Sequence, residues 1–152
     1  MGDSAGLPRV YRPLGARMVS GVSGVVLVAV VAFLWLMLPA HVQDQFGWIQ
    51  RGTLIAFFVA VIVLLYGVFR TRVALSERGM SVTNGYRRHD FSWPQIVAIS
   101  LTQHRPWALV DLADGSTMAV MALQTSDGPR ATRSAREIAV MISARSMTDR
   151  DD

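Results

Sequence analysis

Two long runs without a single charge constrain this chain more than any other feature. Met18 to Leu38 (MVSGVSGVVLVAVVAFLWLML) is 21 residues, twelve of them Leu, Ile, Val or Phe. At 1.5 Å per residue a helix of that length spans about 31 Å, the hydrocarbon thickness of a bilayer. The twelve side chains favour insertion by roughly 4 to 7 kcal/mol, more than Ser20, Gly21, Ser23 and Gly24 can cancel. Thr53 to Phe69 (TLIAFFVAVIVLLYGVF) is 17 residues with twelve of the same four types, and Trp48, Ile49 and Gly52 can extend its outer turn. Two helices uncharged all round are too much apolar surface for a chain of 152 residues to enclose, so a transmembrane hairpin is expected rather than a buried pair. A cleaved signal peptide fits the first run less well. Its apolar stretch exceeds the usual limit of about 15 residues, and no A-x-A site follows at Leu38, Pro39, Ala40 and His41.

Composition agrees with a membrane chain. Charged residues make up 17% and hydrophobic residues 51%, where an ordinary soluble domain carries about 25% charged. The absence of cysteine excludes disulfides, thiolate metal sites and cysteine nucleophiles. His41 has only Asp44 near it in the sequence, so no metal and no cofactor is expected. The net charge of +4 and pI near 10.6 raise the question of nucleic acid. Residues 1–17 hold three Arg and one Asp (+2), residues 39–51 one of each (0), and residues 70–152 eleven Arg and nine acids (+2). A positive charge spread so thinly makes no phosphate-tracking face, and nucleic acid is not an expected partner. All 15 basic residues are Arg, a bias that hints at a GC-rich bacterial coding sequence.

Arginine placement sets the expected orientation, because cytoplasmic flanks collect basic residues. Arg9, Arg12 and Arg17 precede the first run, Arg70, Arg72 and Arg78 follow the second, and the connector between them holds only Arg51. Both termini are therefore expected in the cytoplasm of a multi-pass protein of the cell membrane, with Phe46 and Trp48 of the external loop at headgroup level. Neither run carries an ionisable group, which argues against a transporter. Ser20 with Gly24, and Ala56 with Ala60, make small-xxx-small pairs that either pack the hairpin or form a homo-oligomer contact.

From Arg72 the pattern changes to two-residue alternation broken by turns. Arg72 to Glu77, Met80 to Thr83, Tyr86 to Phe91, Ile96 to Gln103, Trp107 to Leu112 and Thr117 to Leu123 are six strand candidates. Asn84-Gly85 predicts a type I′ hairpin, and Asp114-Gly115 a second turn. Pro94 lacks an N–H and breaks the pairing after Trp93. Ala131, Ala135, Ile138, Ala139 and Ile142 then recur at helical spacing, and Met147 to Asp152 is expected to fray.

Ser76-Glu77-Arg78-Gly79-Met80, the Asn84-Gly85 turn, Phe91-Ser92-Trp93-Pro94-Gln95-Ile96, the strands around Asp114-Gly115 and the terminal helix resemble the bacterial PH-like domain family. The resemblance covers about Arg70 to Ser146, and W-P-x-I is its most specific piece. It implies a transmembrane α-hairpin followed by an α+β PH-like domain, a small antiparallel β-barrel or sandwich capped by a C-terminal helix. Six strands are counted where the PH fold has seven. The expected organisation is a cytoplasmic tail (1–17), two transmembrane helices (18–38 and 53–69) around an external loop (39–52), a cytoplasmic PH-like domain (70–146) and a flexible tail (147–152).

Trp93, Pro94, Ile96 and Trp107 are expected as structural anchors. Arg87, Arg88 and His89 form the only compact basic group and are the candidate contact for lipid or partner, although alternation places Arg87 and Arg88 on opposite faces. Asp111, Asp114 and His104 sit at strand ends or turns, and no S-x-x-K, G-x-S-x-G, H-E-x-x-H or phosphate loop occurs, so no enzymatic activity is expected. The leading expectation is a non-catalytic scaffold presenting its domain to a membrane or cytoplasmic protein. The alternatives are an accessory subunit of a larger membrane complex and a direct sensor of anionic lipid.

Overall fold

The computed structural model describes residues 7–148. They divide into two compact units, one formed by Ala16–Phe69 and the other by the described parts of Met1–Gly15 and Arg70–Asp152.

The first unit is helical. Helix α1 (Leu14–Met37) and helix α3 (Trp48–Arg70) are joined through a short helix α2 (Ala40–Gln43). Both long helices have the length and apolar composition to cross a membrane, and only 6% of either apolar window is buried, which is unlike core helices. They begin earlier than expected, at Leu14 rather than Met18 and at Trp48 rather than Thr53. The expected loop 39–52 thus holds α2 and the first turn of α3. Local capping explains this: Gln50 Oε1 accepts the Gly47 N–H at 2.8 Å, while Gln43 Nε2 donates to the Trp35 and Leu38 carbonyls at 3.0 Å and closes the end of α1. A Cβ on Gly24 would sit 3.8 Å from Leu65 and one on Gly21 4.0 Å from Phe69, and Ser20 is buried. The small residues of α1 therefore pack inside the hairpin, whereas Ala56 and Ala60 of α3 are exposed.

The second unit contains seven strands, not six. The four-stranded sheet runs β1 (Arg9–Tyr11), β2 (Arg72–Ser76), β3 (Gly79–Asn84), β4 (Arg87–Ser92). The three-stranded sheet runs β5 (Ile96–Ser100), β6 (Trp107–Leu112), β7 (Thr117–Gln124), and all pairings are antiparallel. The strand that sequence analysis leaves out is β1. Arg9–Tyr11 pairs with β2 in the register Arg9↔Leu75, Val10↔Ala74, Tyr11↔Val73. The expected tail ahead of the first helix thus contains a strand. The β1–β2 pair is a β-hairpin whose connection is the entire helical unit.

Of the expected barrel or sandwich, the two sheets form the open arrangement: strands pair only within their own sheets, and no closed barrel results. Helix α4 (Pro129–Thr148) lies against β5 and β7. Its predicted stripe is the buried one: Ala131, Ala135, Ile138 and Ile142 are buried and Ala139 is half-buried. Ala135, Ile138 and Ile142 make one apolar core with Val73, Leu75, Met80, Val82, Ile96, Val110 and Val120, and Ala139 packs against it. The helix continues through Thr148, two residues into the tail expected to fray, and residues 149–152 of that tail lie outside the described residues.

Two turns differ from expectation in detail. Asn84 is the last residue of β3, and the two-residue loop is Gly85-Tyr86. Only Gly85 has positive φ (61°), which is the type II′ requirement rather than the type I′ one. Asn84 is drawn into the ladder because its side chain joins the sheets, with Nδ2 donating to Ala119 O at 2.6 Å and Oδ1 accepting Met121 N–H at 3.1 Å. At the opposite turn, Gly79 has φ 151°, and a Cβ there would lie 1.9 Å from the Phe91 carbonyl oxygen. Gly79→Ala is expected to destabilise the domain by about 3 kcal/mol, seen as a lowered thermal unfolding midpoint of the detergent-solubilised protein.

Candidate functional site

The basic group on β4 is dispersed by its own strand. Arg88 points to the outer face, where its Nη2 lies 3.0 Å from Asp90 Oδ1 and its guanidinium also donates to Ser81 Oγ. Ser81 pairs with Asp90 in the ladder, and its hydroxyl donates to the same carboxylate. The Ser81 hydroxyl and then the Arg88 guanidinium hold the Asp90 carboxyl below its ordinary range. This favours folding above that range, and the contribution is lost as pH falls through the lowered value. His89 lies on the other face, its ring parallel to Phe91 with centroids 6.3 Å apart. Arg87 is exposed beside the Gly85-Tyr86 loop, opposite Asn84. The three residues therefore make no single cluster, and the charge of Arg88 is internally compensated.

Between this network and the β2–β3 turn lies a hollow of about 400 Å³ lined by Arg78, Ser81, Arg88, Asp90 and Ser92 among others. The Trp93 corner follows Ser92, the last lining residue in sequence. Trp93 is buried and its indole N–H donates to the Ser76 and Glu77 carbonyls at 3.2 and 3.1 Å. Gln95 Oε1 accepts from the Ser92 N–H and hydroxyl, closing the 3-10 turn Trp93–Gln95. Pro94 sits early in that turn, where a missing N–H costs nothing, and Ile96 is 2% exposed. Trp93 and Ile96 are thus core anchors. Trp107 is 36% exposed at the start of β6 beside the buried Ala108, and a register irregularity follows it.

Several acids, most of them not singled out in the sequence, hold the domain together. Arg145 of α4 pairs with Glu77 at 2.8 Å and lies over the Trp93 ring. Glu137 of α4 accepts the Tyr11 hydroxyl at 3.0 Å and lies 3.9 Å from Arg9, so α4 holds β1 from the side. Burial pushes the Tyr11 phenol up, the Arg9 hydrogen bond opposes this, and Glu137 adds to it. Asp127, in the turn before α4, accepts the N–H groups of Leu14 and Gly15 at 3.1 and 3.0 Å and so caps the first turn of α1. Asp114 is lowered by the Ser116 hydroxyl and then the Ser116 N–H in its turn. Apart from Asp114 and Ser116, which share the predicted Asp114-Gly115 turn, no sequence signal links these partners, which lie up to 126 residues apart. Among the described residues no group of three or more His, Cys, Asp or Glu is placed to hold a metal ion.

Comparison with known proteins follows the same outline. The uncharacterized proteins Mb1452 of Mycobacterium bovis and MT1460 and Rv1417 of Mycobacterium tuberculosis are each 33% identical to this chain over 88 residues, 58% of this chain and 52% of theirs. The chain thus spans about half the length of the curated relatives it matches. No solved structure gives a significant match. The family model of the bacterial PH domain matches residues 70–139, which include strands β2 to β7 and the first half of α4. The match leaves out β1, which lies on the far side of the helical unit in sequence. The four-plus-three sheets, the buried Trp93 corner and the helix packed on β5 and β7 agree with that match, and residues 70–139 are similar to the bacterial PH domain.

Proposed function

We propose that this chain is a non-catalytic, multi-pass protein of the cytoplasmic membrane that presents its PH domain at the inner face to bind a protein partner. The observation that carries the reading is the β1–β2 pairing. A strand pair can close around two membrane spans only if the spans form a hairpin that returns to its starting side. Both ends of the hairpin then lead into strands of the same four-stranded sheet. The arginine asymmetry supports the cytoplasm as that side. The non-catalytic reading is supported by the occupation of acids in structural contacts: Glu77 with Arg145, Asp90 with Arg88 and Ser81, Asp127 with the start of α1, Glu137 with Tyr11. Self-compensation of Arg88 weighs against a sensor of anionic lipid through Arg87 and Arg88.

A second reading, an accessory subunit of a larger complex, draws on Ala56 and Ala60. They stay exposed on α3 while the small residues of α1 are used inside the hairpin. Crosslinking in intact cells followed by purification in mild detergent tests both. A reproducible partner is expected, and it should be retained when Met18–Phe69 is replaced by an unrelated apolar hairpin. Its loss on that replacement would favour the accessory subunit, and a lone monomer with no reproducible partner would end the scaffold reading. Binding to anionic vesicles is expected to change less than twofold when Arg87 and Arg88 are both replaced by Ala; a large salt-sensitive loss would favour the lipid sensor.

A further inference from the structure

Within the helical unit, α1 and α3 enclose a cleft of about 460 Å³ at the end nearest their connection. It runs from Trp35 and Phe46 down to Leu27 and Ile62. Eight residues of helix separate Leu27 from Trp35, so the cleft is about 12 Å long. Its lining is apolar with one exception, the side chain of Arg51 in the first turn of α3.

Arg51 is held in place without being neutralised. Its Nε donates to the Phe46 carbonyl at 2.9 Å and its Nη2 to the Gln43 carbonyl at 2.6 Å. The guanidinium carbon lies 5.4 Å from the centre of the Trp35 ring, which itself meets Phe46 edge-on at 5.8 Å. Two carbonyls and an aromatic face orient a cation but leave its charge intact. Among the described residues Arg51 forms no ion pair, although Asp44 lies in the same connection.

We infer that this cleft binds one phospholipid, with its phosphate on the Arg51 guanidinium and an acyl chain in the apolar channel. The inference rests on the membrane reading proposed above. Charge complementarity selects this occupant. An oriented planar fork with unspent donors fits a phosphate, and a purely apolar helix in the same cleft would leave the cation uncompensated. Trp35 and Phe46 stand at the mouth, where aromatic rings settle at headgroup depth. A diacyl phospholipid supplies both parts, an anion at the mouth and a chain below it.

The test uses the full chain in mild detergent, delipidated and titrated with dioleoylphosphatidylglycerol or dioleoylglycerol, with bound lipid counted by native mass spectrometry. One phosphatidylglycerol per chain is expected at saturation, with dioleoylglycerol about tenfold weaker because it lacks the phosphate. Arg51→Gln should weaken phosphatidylglycerol about tenfold and erase the preference, whereas Arg51→Lys should keep it. Ala32→Phe, which fills the cleft while sparing Arg51, should weaken both lipids. Graded, non-saturating uptake that is the same in every variant would overturn the assignment. So would a dimer mass that Ala32→Phe abolishes, since the cleft would then hold a helix of a second copy. Alkaline carbonate extraction of cells separates the two levels of failure. Protein released to the supernatant overturns the membrane reading, and the cleft with it; protein retained in the pellet but without saturable lipid overturns the cleft alone.

Discussion

A chain cut down to residues 70–148 is expected not to fold as a stable monomer, and residues 7–12 joined to Arg72 through Asn-Gly are expected to rescue it. The family match begins at residue 70, so the shorter piece is the natural first choice for expression. It lacks β1, whose loss exposes the edge of β2 between the fully buried Val73 and Leu75. Leu7 and Tyr11 leave the core at about 1 kcal/mol each for half-buried side chains. The ladder bonds to β2, and the Tyr11 hydroxyl on Glu137, add about 1 kcal/mol apiece. Together this is roughly 5 kcal/mol, the lower end of the whole stability of a small domain. The unpaired edge also invites association. Because Tyr11 faces Val73 in the antiparallel register, Arg12 and Arg72 are the next pair, and a two-residue turn suits that gap. Circular dichroism melts and amide NMR dispersion check this. A cooperative melt of residues 70–148 at the same temperature as the rescued chimera would mean that β1 is dispensable.

What was legible in the sequence was whatever is local. Uncharged runs, alternation and the Ala131 to Ile142 stripe depend on neighbours within a turn or two, and they located both helices, six strands and α4 within a few residues. β1 was hidden for the opposite reason. Three residues, Arg9 to Tyr11, carry almost no periodicity, and their partner strand lies some 60 residues on, beyond both apolar runs. The arginine at its start also has a ready explanation as a membrane flank. The fit to the PH fold explains the shortfall, since the strand missing from the count was on the wrong side of the hairpin to be sought. Arg87, Arg88 and His89 looked like a group because they are adjacent, and alternation with the Asp90 contact undoes it. Asp127 was unreadable as the cap of α1, because the pairing exists only once β1 and the α4 turn are folded together.

Single cysteines placed in this cysteine-free chain should divide by position when a membrane-impermeant thiol reagent is applied to intact spheroplasts. Gln45→Cys is expected to label fully, while Ser126→Cys and Val10→Cys are expected to be spared until the membrane is permeabilised. All three native side chains are exposed, so protection would reflect the membrane and not burial. The prediction joins two arguments of different kinds. Six arginines flank the helices on the side of the PH domain, against Arg51 on the other, and insertion retains the arginine-rich flanks inside. Arg51 is moreover held by carbonyls of its own connection, which leaves it a weak retention signal. The strand pairing argues separately that Val10 and Ser126 share a fate, whichever side that is, because β1 and β2 are hydrogen-bonded neighbours at the two ends of the hairpin. Labelling at Val10 and Ser126 with protection at Gln45 would invert the orientation yet keep the fold. Labelling at Val10 but not Ser126 would break the β1–β2 pairing in the cell.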